Sequence, residues 1–259
     1  ILLHVRPGGE LIGKLKILPD GPRNLNILLI DGRGRVVIGA DSGLVILTDA
    51  THPHWIPLTE QTPNGRSRVD VTALLARDSG GFWVGSRHGL YSYGEEDDLL
   101  RLAPLERDYV FDIAADHGGL IWAAGFGGLY AFDPLRDRGA IYRDLRVSQD
   151  DPIPPRLYAL NVDPSGLLWV GSWRGGLWKA NLHNAQFGVR RNSTHSPFAG
   201  GSSGVAAIFE DQRGALWFGN PEHGITIVDP GGEAYRHLTS RSGEFPALSG
   251  DRISAIAGD

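Results

Sequence analysis

The sequence predicts an all-β fold, a β-propeller built from four-stranded antiparallel blades. One phrase, an Asp and Gly turn followed by an aromatic strand and a second glycine turn, returns five times. The copies are DGRGRVVIGADSGL, DSGGFWVGSRHGL, DHGGLIWAAGFGGL, DPSGLLWVGSWRGGL and DQRGALWFGNPEHGI. Their anchor residues are spaced by 46, 39, 47 and 48 residues, which matches one propeller blade. The anchors are Val37, Trp83, Trp122, Trp169 and Trp217.

Each repeat contains the strands of one blade in the same order. A short apolar run such as 71–75 comes first, followed by the turn, the anchor strand, a glycine turn and a further strand such as 225–228. A polar stretch and a fourth strand complete the unit. Every apolar run is short and is broken by Gly, Pro or Asp, so no segment offers the roughly 10 periodic residues that a helix needs. The chain is therefore predicted to be almost wholly β.

The repeat boundaries predict one propeller domain over 1–259, with five whole blades and one split blade. The whole blades are assigned to 19–63, 64–106, 107–150, 151–199 and 200–248. The segments 1–18 and 249–259 resemble complementary parts of a further blade, so we expect them to complete it and protect the sheet edges. The ring would then have six blades, or the chain is part of a larger array. The sequence contains no Met, even at position 1, so we expect either a fragment of a longer protein or a sequence from which modified methionines are missing.

The repeated turn and anchor residues are expected to be structural. Asp carboxylates in such turns bond the turn backbone, which is expected of Asp78, Asp116, Asp163 and Asp211. A buried indole removes a large apolar area from water, so the anchor tryptophans are expected in the core between blades. These are Trp83, Trp122, Trp169 and Trp217.

Composition excludes several classes of partner. With 41% hydrophobic residues there is ample material for a core, and a net charge of −5 argues against nucleic acid or anionic membranes as partners. No apolar stretch approaches the ~20 residues that span a bilayer, so we expect neither a signal peptide nor membrane contact in this chain. There is no cysteine and thus no disulfide. No cofactor and no metal site are predicted.

The phrase resembles a known repeat. In DPSGLLWVGSWRGGL and DSGGFWVGSRHGL it is similar to the two-component regulator propeller repeat, and the likeness covers roughly residues 20–259. The resemblance implies a periplasmic sensor region of a membrane-bound signalling protein, a hybrid histidine kinase or a diguanylate cyclase. Any kinase or cyclase activity would lie in an output domain outside this chain. Val37 replaces the first Trp, and Ala124-Gly125 replaces Gly-Thr in the third copy.

The function is expected on one rim of the propeller. If the run before each Asp is the innermost strand, the loops entering it and the loops after the anchor strands share a rim. These loops carry arginine, histidine and aromatic residues that could hold a small-molecule or carbohydrate-like ligand through guanidinium bonds and ring stacking. The candidate ligand-binding residues are Arg87, His88, Tyr109, Phe126, Arg156, Trp173, Arg174, Glu222, His223 and Arg252.

Two alternatives stand beside the ligand-binding sensor. One is a propeller enzyme, a lyase or a glycan-active enzyme, since streptogramin-lyase-like propellers use rim histidines and acids with a metal and His88, Glu222 and His223 lie on rim loops. Those groups are scattered among ordinary loops, so no catalytic residue is assigned and the chain is not predicted to be an enzyme. The other alternative is a scaffold that binds a partner protein. A homodimer through the full-length protein is also possible.

Overall fold

The computed structural model describes five four-stranded antiparallel sheets, which are the blades of a β-propeller. It describes residues 2–5, 11–15, 21–48, 53–62, 64–96, 98–142, 156–173, 176–181, 186–190, 204–230, 235–241, 248 and 250–256. Every regular element in these ranges is a strand, so the all-β prediction is confirmed. Within the same ranges, no helix exists that could cross a bilayer.

Chain contacts divide the molecule into two units, Ile1–Ala103 (the N-terminal unit) and Pro104–Asp259 (the C-terminal unit). The N-terminal unit contains two blades. The first blade has strands β3 (Leu25–Ile30), β4 (Val36–Ala40), β5 (Gly43–Leu47) and β6 (Pro53–Pro57). The second has β9 (Val71–Ala76), β10 (Phe82–Ser86), β11 (Gly89–Gly94) and β12 (Leu99–Leu102).

Two further strand pairs belong to the N-terminal unit. Strands β1 (Leu2–Val5) and β2 (Leu11–Leu15) form an antiparallel pair. Strands β7 (Thr59–Thr62) and β8 (Gly65–Arg68) form a hairpin between the two blades. This hairpin crosses the repeat boundary drawn between residues 63 and 64, and the repeat pattern did not predict it.

The C-terminal unit contains three blades. The third blade comprises β13 (Val110–Ala115), β14 (Ile121–Gly125), β15 (Leu129–Asp133) and β16 (Arg138–Tyr142). The fourth comprises β17 (Leu157–Val162), β18 (Leu167–Ser172), β19 (Leu177–Asn181) and β20 (Gln186–Arg190). The fifth comprises β21 (Ala207–Glu210), β22 (Leu216–Asn220), β23 (Gly224–Val228) and β24 (Tyr235–Leu238).

The first strand of each blade is the innermost one. Within the N-terminal unit β3 contacts β9, and within the C-terminal unit β13 contacts β17 and β17 contacts β21. A glycine two residues after the anchor residue permits this approach in the first, fourth and fifth blades. A Cβ on Gly171 would lie 2.9 Å from the Cβ of Val205, and one on Gly219 would lie 2.6 Å from the Cγ2 of Ile253. The recurring glycine is therefore required by packing against the residues that enter the next innermost strand.

The anchor tryptophans contribute to the core as a group, to different depths. Trp83 and Trp122 are buried, whereas Trp169 and Trp217 are half-buried. Trp122 packs in one apolar cluster with Leu157 and Leu168 of the fourth blade. The Trp169 ring lies 6.1 Å from the Phe218 ring of the fifth blade. Within the C-terminal unit these indoles thus bridge neighbouring blades.

In the C-terminal unit each turn aspartate bonds both its own turn and the anchor indole six residues later. In the fourth blade, one Asp163 carboxylate oxygen accepts the amides of Ser165 and Leu167 at 2.9 and 3.0 Å. The other oxygen accepts the Nε1–H of Trp169 at 2.8 Å. The third and fifth blades repeat the arrangement, Trp122 donating to Asp116 at 2.9 Å and Trp217 to Asp211 at 3.0 Å.

The N-terminal unit departs from this arrangement in both blades. In the first, Val37 holds the anchor position, and Arg35 Nε donates instead to the second oxygen of Asp31 at 2.7 Å. In the second, the turn position holds Arg77, whose guanidinium lies 5.2 Å from the centroid of Trp83. The expectation that Asp78 bonds the turn backbone was wrong, because the repeat there is one residue shorter before the Trp and Arg77 falls in the aspartate position. Among the described residues Asp78 accepts no hydrogen bond.

The prediction that the two ends complete one blade stays a prediction. Near the C-terminal end, Ile253 is buried and its amide donates to the Asn220 carbonyl at 2.9 Å. In the same way, the amide of Val205 donates to the Ser172 carbonyl at 3.0 Å at the start of the fifth blade. Residues 252–256 therefore dock on the fifth blade as the entry to another innermost strand would, although no strand pairing is assigned to them.

Candidate ligand-binding rim

The candidate rim residues fall into separate groups, which are described by unit. The C-terminal unit carries five aromatic rings in sequence, called here the aromatic row. Tyr109 stacks on Phe111 with ring centroids 4.3 Å apart, and Phe111 meets Phe126 edge-on at 4.7 Å. Phe111 also stacks on Tyr158 at 4.2 Å, and Tyr158 lies 5.2 Å from Trp173. The row thus joins the third and fourth blades, and it includes three of the residues that the sequence singled out.

Two members of the row were not predicted, and a backbone irregularity explains why. The pairing of β13 with β14 shifts register at Phe111, and that of β17 with β18 shifts at Tyr158. Such a bulge leaves one residue unpaired and re-aims its side chain. Strict strand alternation does not reveal the extra residue. Their position in the repeat could have identified both rings, because each directly follows the first buried residue of an innermost strand.

Asp108 fixes the loop that carries Phe126. One oxygen of its carboxylate accepts the Gly127 amide at 2.6 Å and the Tyr130 hydroxyl at 2.8 Å. The other oxygen accepts the amide of Tyr109 at 2.8 Å. A single carboxylate therefore ties together the backbone beside two of the five rings. The row is held in place by hydrogen bonds as well as by ring packing.

Arg156 adds a cation to the aromatic row. Its guanidinium carbon lies 5.4 Å from the centroid of Phe126, and its carbonyl accepts the amide of Trp173 at 3.3 Å. Phe126 is 39% exposed and Trp173 is 36% exposed, so both keep surface for a ligand. Arg174 lies outside the described residues. The row and Arg156 offer flat apolar faces beside a forked donor group.

A carboxylate lies next to the row on the same innermost strand. Asp112 accepts the amides of Ile113 and Leu160, both at 2.8 Å, so it joins the third blade to the fourth. Asp112 is half-buried. Desolvation raises the pKa of Asp112 to about 6, although the two amide hydrogen bonds act in the opposite direction.

The rim loops of the N-terminal unit are charged and internally paired. The Arg87 Nε donates to the Asp70 carboxylate, which also accepts from the Asn26 amide group at 2.7 Å. His88 Nδ1 lies 2.6 Å from a Glu60 oxygen. Glu60 is buried, comes from hairpin strand β7, and also accepts the hydroxyl of Tyr91. Arg87 and His88 thus contact acids that the sequence did not associate with them.

The remaining candidates lie in the fifth blade or in the segment that follows it. The amides of Glu222 and His223 both donate to the Asn220 side-chain oxygen, at 2.8 and 2.9 Å, which caps their turn. Arg252 is exposed just before Ile253. In the described part of the chain, no hydrogen bond, ion pair or ring contact joins these three side chains to the aromatic row. Nor do the described residues contain three or more His, Cys, Asp or Glu side chains grouped as metal ligands.

Solved structures of low sequence identity share the fold. One is the extracellular domain of the hybrid two-component system BT4673 from B. thetaiotaomicron. It is 16% identical to this chain with a TM-score of 0.64, and the alignment covers 93% of this chain and 36% of that domain. The corresponding BT3049 domain is 16% identical with a TM-score of 0.61, covering 92% and 38%. This chain therefore spans just over a third of those domains.

Enzymes share the fold as well. A streptogramin B lyase is 12% identical with a TM-score of 0.69, and the alignment covers 91% of this chain and 75% of that one. No protein-family model matches the chain, and no curated protein matches it. At these identities the comparisons establish the propeller fold, and they include the class of sensor protein that the repeat phrase resembles.

Proposed function

We propose that this chain is a ligand-binding sensor propeller from the extracytoplasmic part of a bacterial membrane-bound signalling protein. The aromatic row with Arg156 is the binding surface. The observation that carries this proposal is the row itself, five rings in contact across two blades with two of them more than a third exposed. The fold shared with extracellular domains of hybrid two-component systems supports the setting.

The chemistry of the row favours a carbohydrate-like ligand. Aromatic faces pack well against the apolar face of a sugar ring, and Phe126 and Trp173 keep exposed surface at the row. Arg156 can donate two parallel hydrogen bonds to a carboxylate. An acidic oligosaccharide would use both features, whereas a neutral one would use the rings alone. Binding would then be read out through the packing of the third blade on the fourth.

The test is a calorimetric titration with two probes, cellotetraose and tetragalacturonate. Phe126→Ala and Trp173→Ala are expected to weaken binding of whichever probe binds by about tenfold or more, because exposed aromatic anchors carry much of the energy of such a surface. Tyr235→Ala is the matched control, since Tyr235 is an exposed aromatic residue of the same unit outside the row. Arg156→Ala should weaken the acidic probe selectively.

Two results would overturn the proposal. The first is an absence of binding by both probes to the folded protein. The second is an equal loss of affinity in Tyr235→Ala and in the two row variants, which would show that the row has no special part. The folded state of each variant is checked by far-ultraviolet circular dichroism before titration.

A propeller enzyme is the second candidate, favoured by one observation. His88 is hydrogen-bonded through Nδ1 to the buried Glu60, an arrangement that orients an imidazole and supports general-base chemistry at its other nitrogen. The side chain of His88 is 49% exposed, so that nitrogen has access to a substrate. Turnover of a cyclic depsipeptide or of a glycan probe that disappears in His88→Ala would establish this alternative.

A further inference from the structure

The turn side of the N-terminal unit contains a cavity of about 740 Å³ that the proposed function does not use. Three arginines and three carboxylates line it, Arg33, Arg77, Arg101, Asp78, Glu95 and Glu96. A second cavity of about 230 Å³ shares Arg33, Arg77 and Asp78 with it and reaches Asp31 and Arg35. The volume of the larger cavity is in the range of small-ligand sites.

The departures of this unit from the repeat phrase meet at these cavities. Arg35 replaces the indole as the partner of Asp31, and Arg77 replaces the turn aspartate of the second blade. The turns of the C-terminal unit pair a carboxylate with an indole instead. A repeat needs only one such solution for stability. The guanidinium of Arg35 is bonded to Asp31 and Glu95, whereas Arg77 lines both cavities, so Arg77 is the departure that indicates a binding role.

Arg77 is held in a fixed position at the cavity wall. Its guanidinium lies over the Trp83 ring, and its Nη1 donates to the carbonyl of Tyr93 at 3.4 Å. A guanidinium has five N–H donors, so donors remain for a ligand after this bond. Stacking on an indole also reduces the side-chain entropy that is lost on binding. Arg77 is therefore a preorganised donor.

The carboxylates at the cavity are of two kinds. Glu95 is compensated within the protein, because Arg35 Nη2 lies 2.6 Å and Arg33 Nη1 lies 3.3 Å from its oxygens. Asp78 and Glu96 are exposed, and among the described residues neither forms an ion pair. The wall therefore presents guanidinium groups together with uncompensated carboxylates. A purely anionic ligand would meet repulsion from the carboxylates, and a purely cationic one would meet repulsion from the arginines.

We propose that this cavity binds a short zwitterionic peptide. The terminal carboxylate would accept hydrogen bonds from Arg77 and Arg101, and the terminal ammonium would donate to Asp78 and Glu96. Both contacts are charge-assisted, which makes them stronger than neutral hydrogen bonds. The site is separate from the aromatic row and belongs to the other unit.

The test uses tetraglycine and its blocked analogue, N-acetyl-tetraglycine amide, titrated by calorimetry into the whole chain. Tetraglycine is expected to bind, and the blocked analogue is expected to bind at least about tenfold more weakly because it lacks both charges. Arg77→Gln and Arg101→Ala should each weaken tetraglycine binding by a similar factor. Arg213→Ala is the matched control, because Arg213 is the turn residue equivalent to Arg33 in the fifth blade and does not line the cavity.

Three outcomes would overturn the proposal: no binding of tetraglycine, equal binding of the blocked analogue, or an equal effect of Arg213→Ala. If Arg77→Gln unfolds the chain, the affinity of Arg101→Ala for tetraglycine is the deciding measurement, because Arg101 is exposed. Phe126→Ala should leave tetraglycine binding unchanged. That variant therefore distinguishes a failure of this proposal from a failure of the proposal for the aromatic row.

Discussion

The same backbone position carries polar side chains in the two blades of the N-terminal unit and aromatic ones in the third and fourth blades. The register of the innermost strand shifts at Asn26 and Thr72 in the first two blades, and at Phe111 and Tyr158 in the third and fourth. Asn26 bonds the Asp70 carboxylate, whereas Phe111 and Tyr158 stack on each other. The bulge recurs in four of the five blades, and the side chain placed on it sets the chemistry of the rim.

The turn side shows the reverse distribution. There the C-terminal unit is uniform, with an aspartate and an indole in each of its three blades. The N-terminal unit instead places Arg35 and Arg77 beside a cavity. The C-terminal unit is therefore regular on its turn side and specialised on its rim, whereas the N-terminal unit is specialised on its turn side. The regular side supports the fold, and the specialised side is where we expect a ligand.

The largest expected effect tests the regular side of the C-terminal unit. Trp122→Ala removes a buried ring that packs against the fourth blade and also its hydrogen bond to Asp116, so the free energy of unfolding should fall by about 3–5 kcal/mol. Chemical denaturation followed by circular dichroism measures this. Trp122→Phe keeps most of the packing and should cost clearly less. Equal losses in the two variants would show that the hydrogen bond, and not the ring, stabilises this site.

The second effect concerns pH and the carboxylate beside the aromatic row. The pKa of Asp112 is raised from 3.8 to about 6 in the folded state. Because the pKa of Asp112 is higher in the folded state, the contribution of this group to the free energy of unfolding is fully present below pH 3.8 and is lost as pH rises through about 6. The loss amounts to about 3 kcal/mol at neutral pH, since each pKa unit corresponds to about 1.4 kcal/mol.

Asp112→Asn tests this pH dependence, because the amide cannot ionise. The free energy of unfolding of the parent chain is compared with that of the variant at pH 4 and pH 7. The parent should lose more stability than the variant between these values. Asp163→Asn is the matched control of opposite sign. Burial works to raise the pKa of Asp163, but hydrogen bonds from Ser165 and Trp169 outweigh it and hold the pKa below 3.8. An identical pH dependence in the parent and in Asp112→Asn would contradict the assignment.

The difference between the units also shows how far the sequence could lead. The period and the anchor strands predicted the blades, because glycine turns and apolar runs impose them locally. The six-residue spacing from aspartate to indole was visible in the sequence. The role of Arg35 as the partner of Asp31 in the first blade was not, because Arg35 also bonds Glu95 of the second blade, which is distant in sequence. Phe111 and Tyr158 were missed because a bulge depends on strand pairing. Tyr109, Phe126 and Trp173 could be predicted to lie near one another because loops at equivalent repeat positions share a rim.

A smaller effect is expected on the specialised side of the N-terminal unit. Burial works to raise the pKa of Asp31, but hydrogen bonds from Arg35 and Arg33 outweigh it and keep the pKa below 3.8. Arg35→Ala leaves Asp31 and Glu95 without this partner, and it should lower the free energy of unfolding by about 1–3 kcal/mol at pH 7. Arg33→Ala removes only an exposed contact to Glu95 and serves as the control. The melting temperatures of both variants and of the parent chain are measured at pH 7 and pH 3. The loss caused by Arg35→Ala should be smaller at pH 3, because protonation of Asp31 removes its attraction to Arg35.

The smallest effect is expected at the charged rim of the N-terminal unit. Arg87 is 59% exposed and donates to Asp70, which Asn26 also bonds. Exposed ion pairs contribute little because water and salt screen them and because ordering two side chains costs entropy. Arg87→Ala should therefore change the free energy of unfolding by less than about 0.5 kcal/mol. It should also leave binding of an oligosaccharide to the aromatic row unchanged, whereas Phe126→Ala should not. If Arg87→Ala weakened that binding as much as Phe126→Ala does, the charged rim would belong to the binding surface, and the contrast between the two rims would no longer separate structural from functional residues.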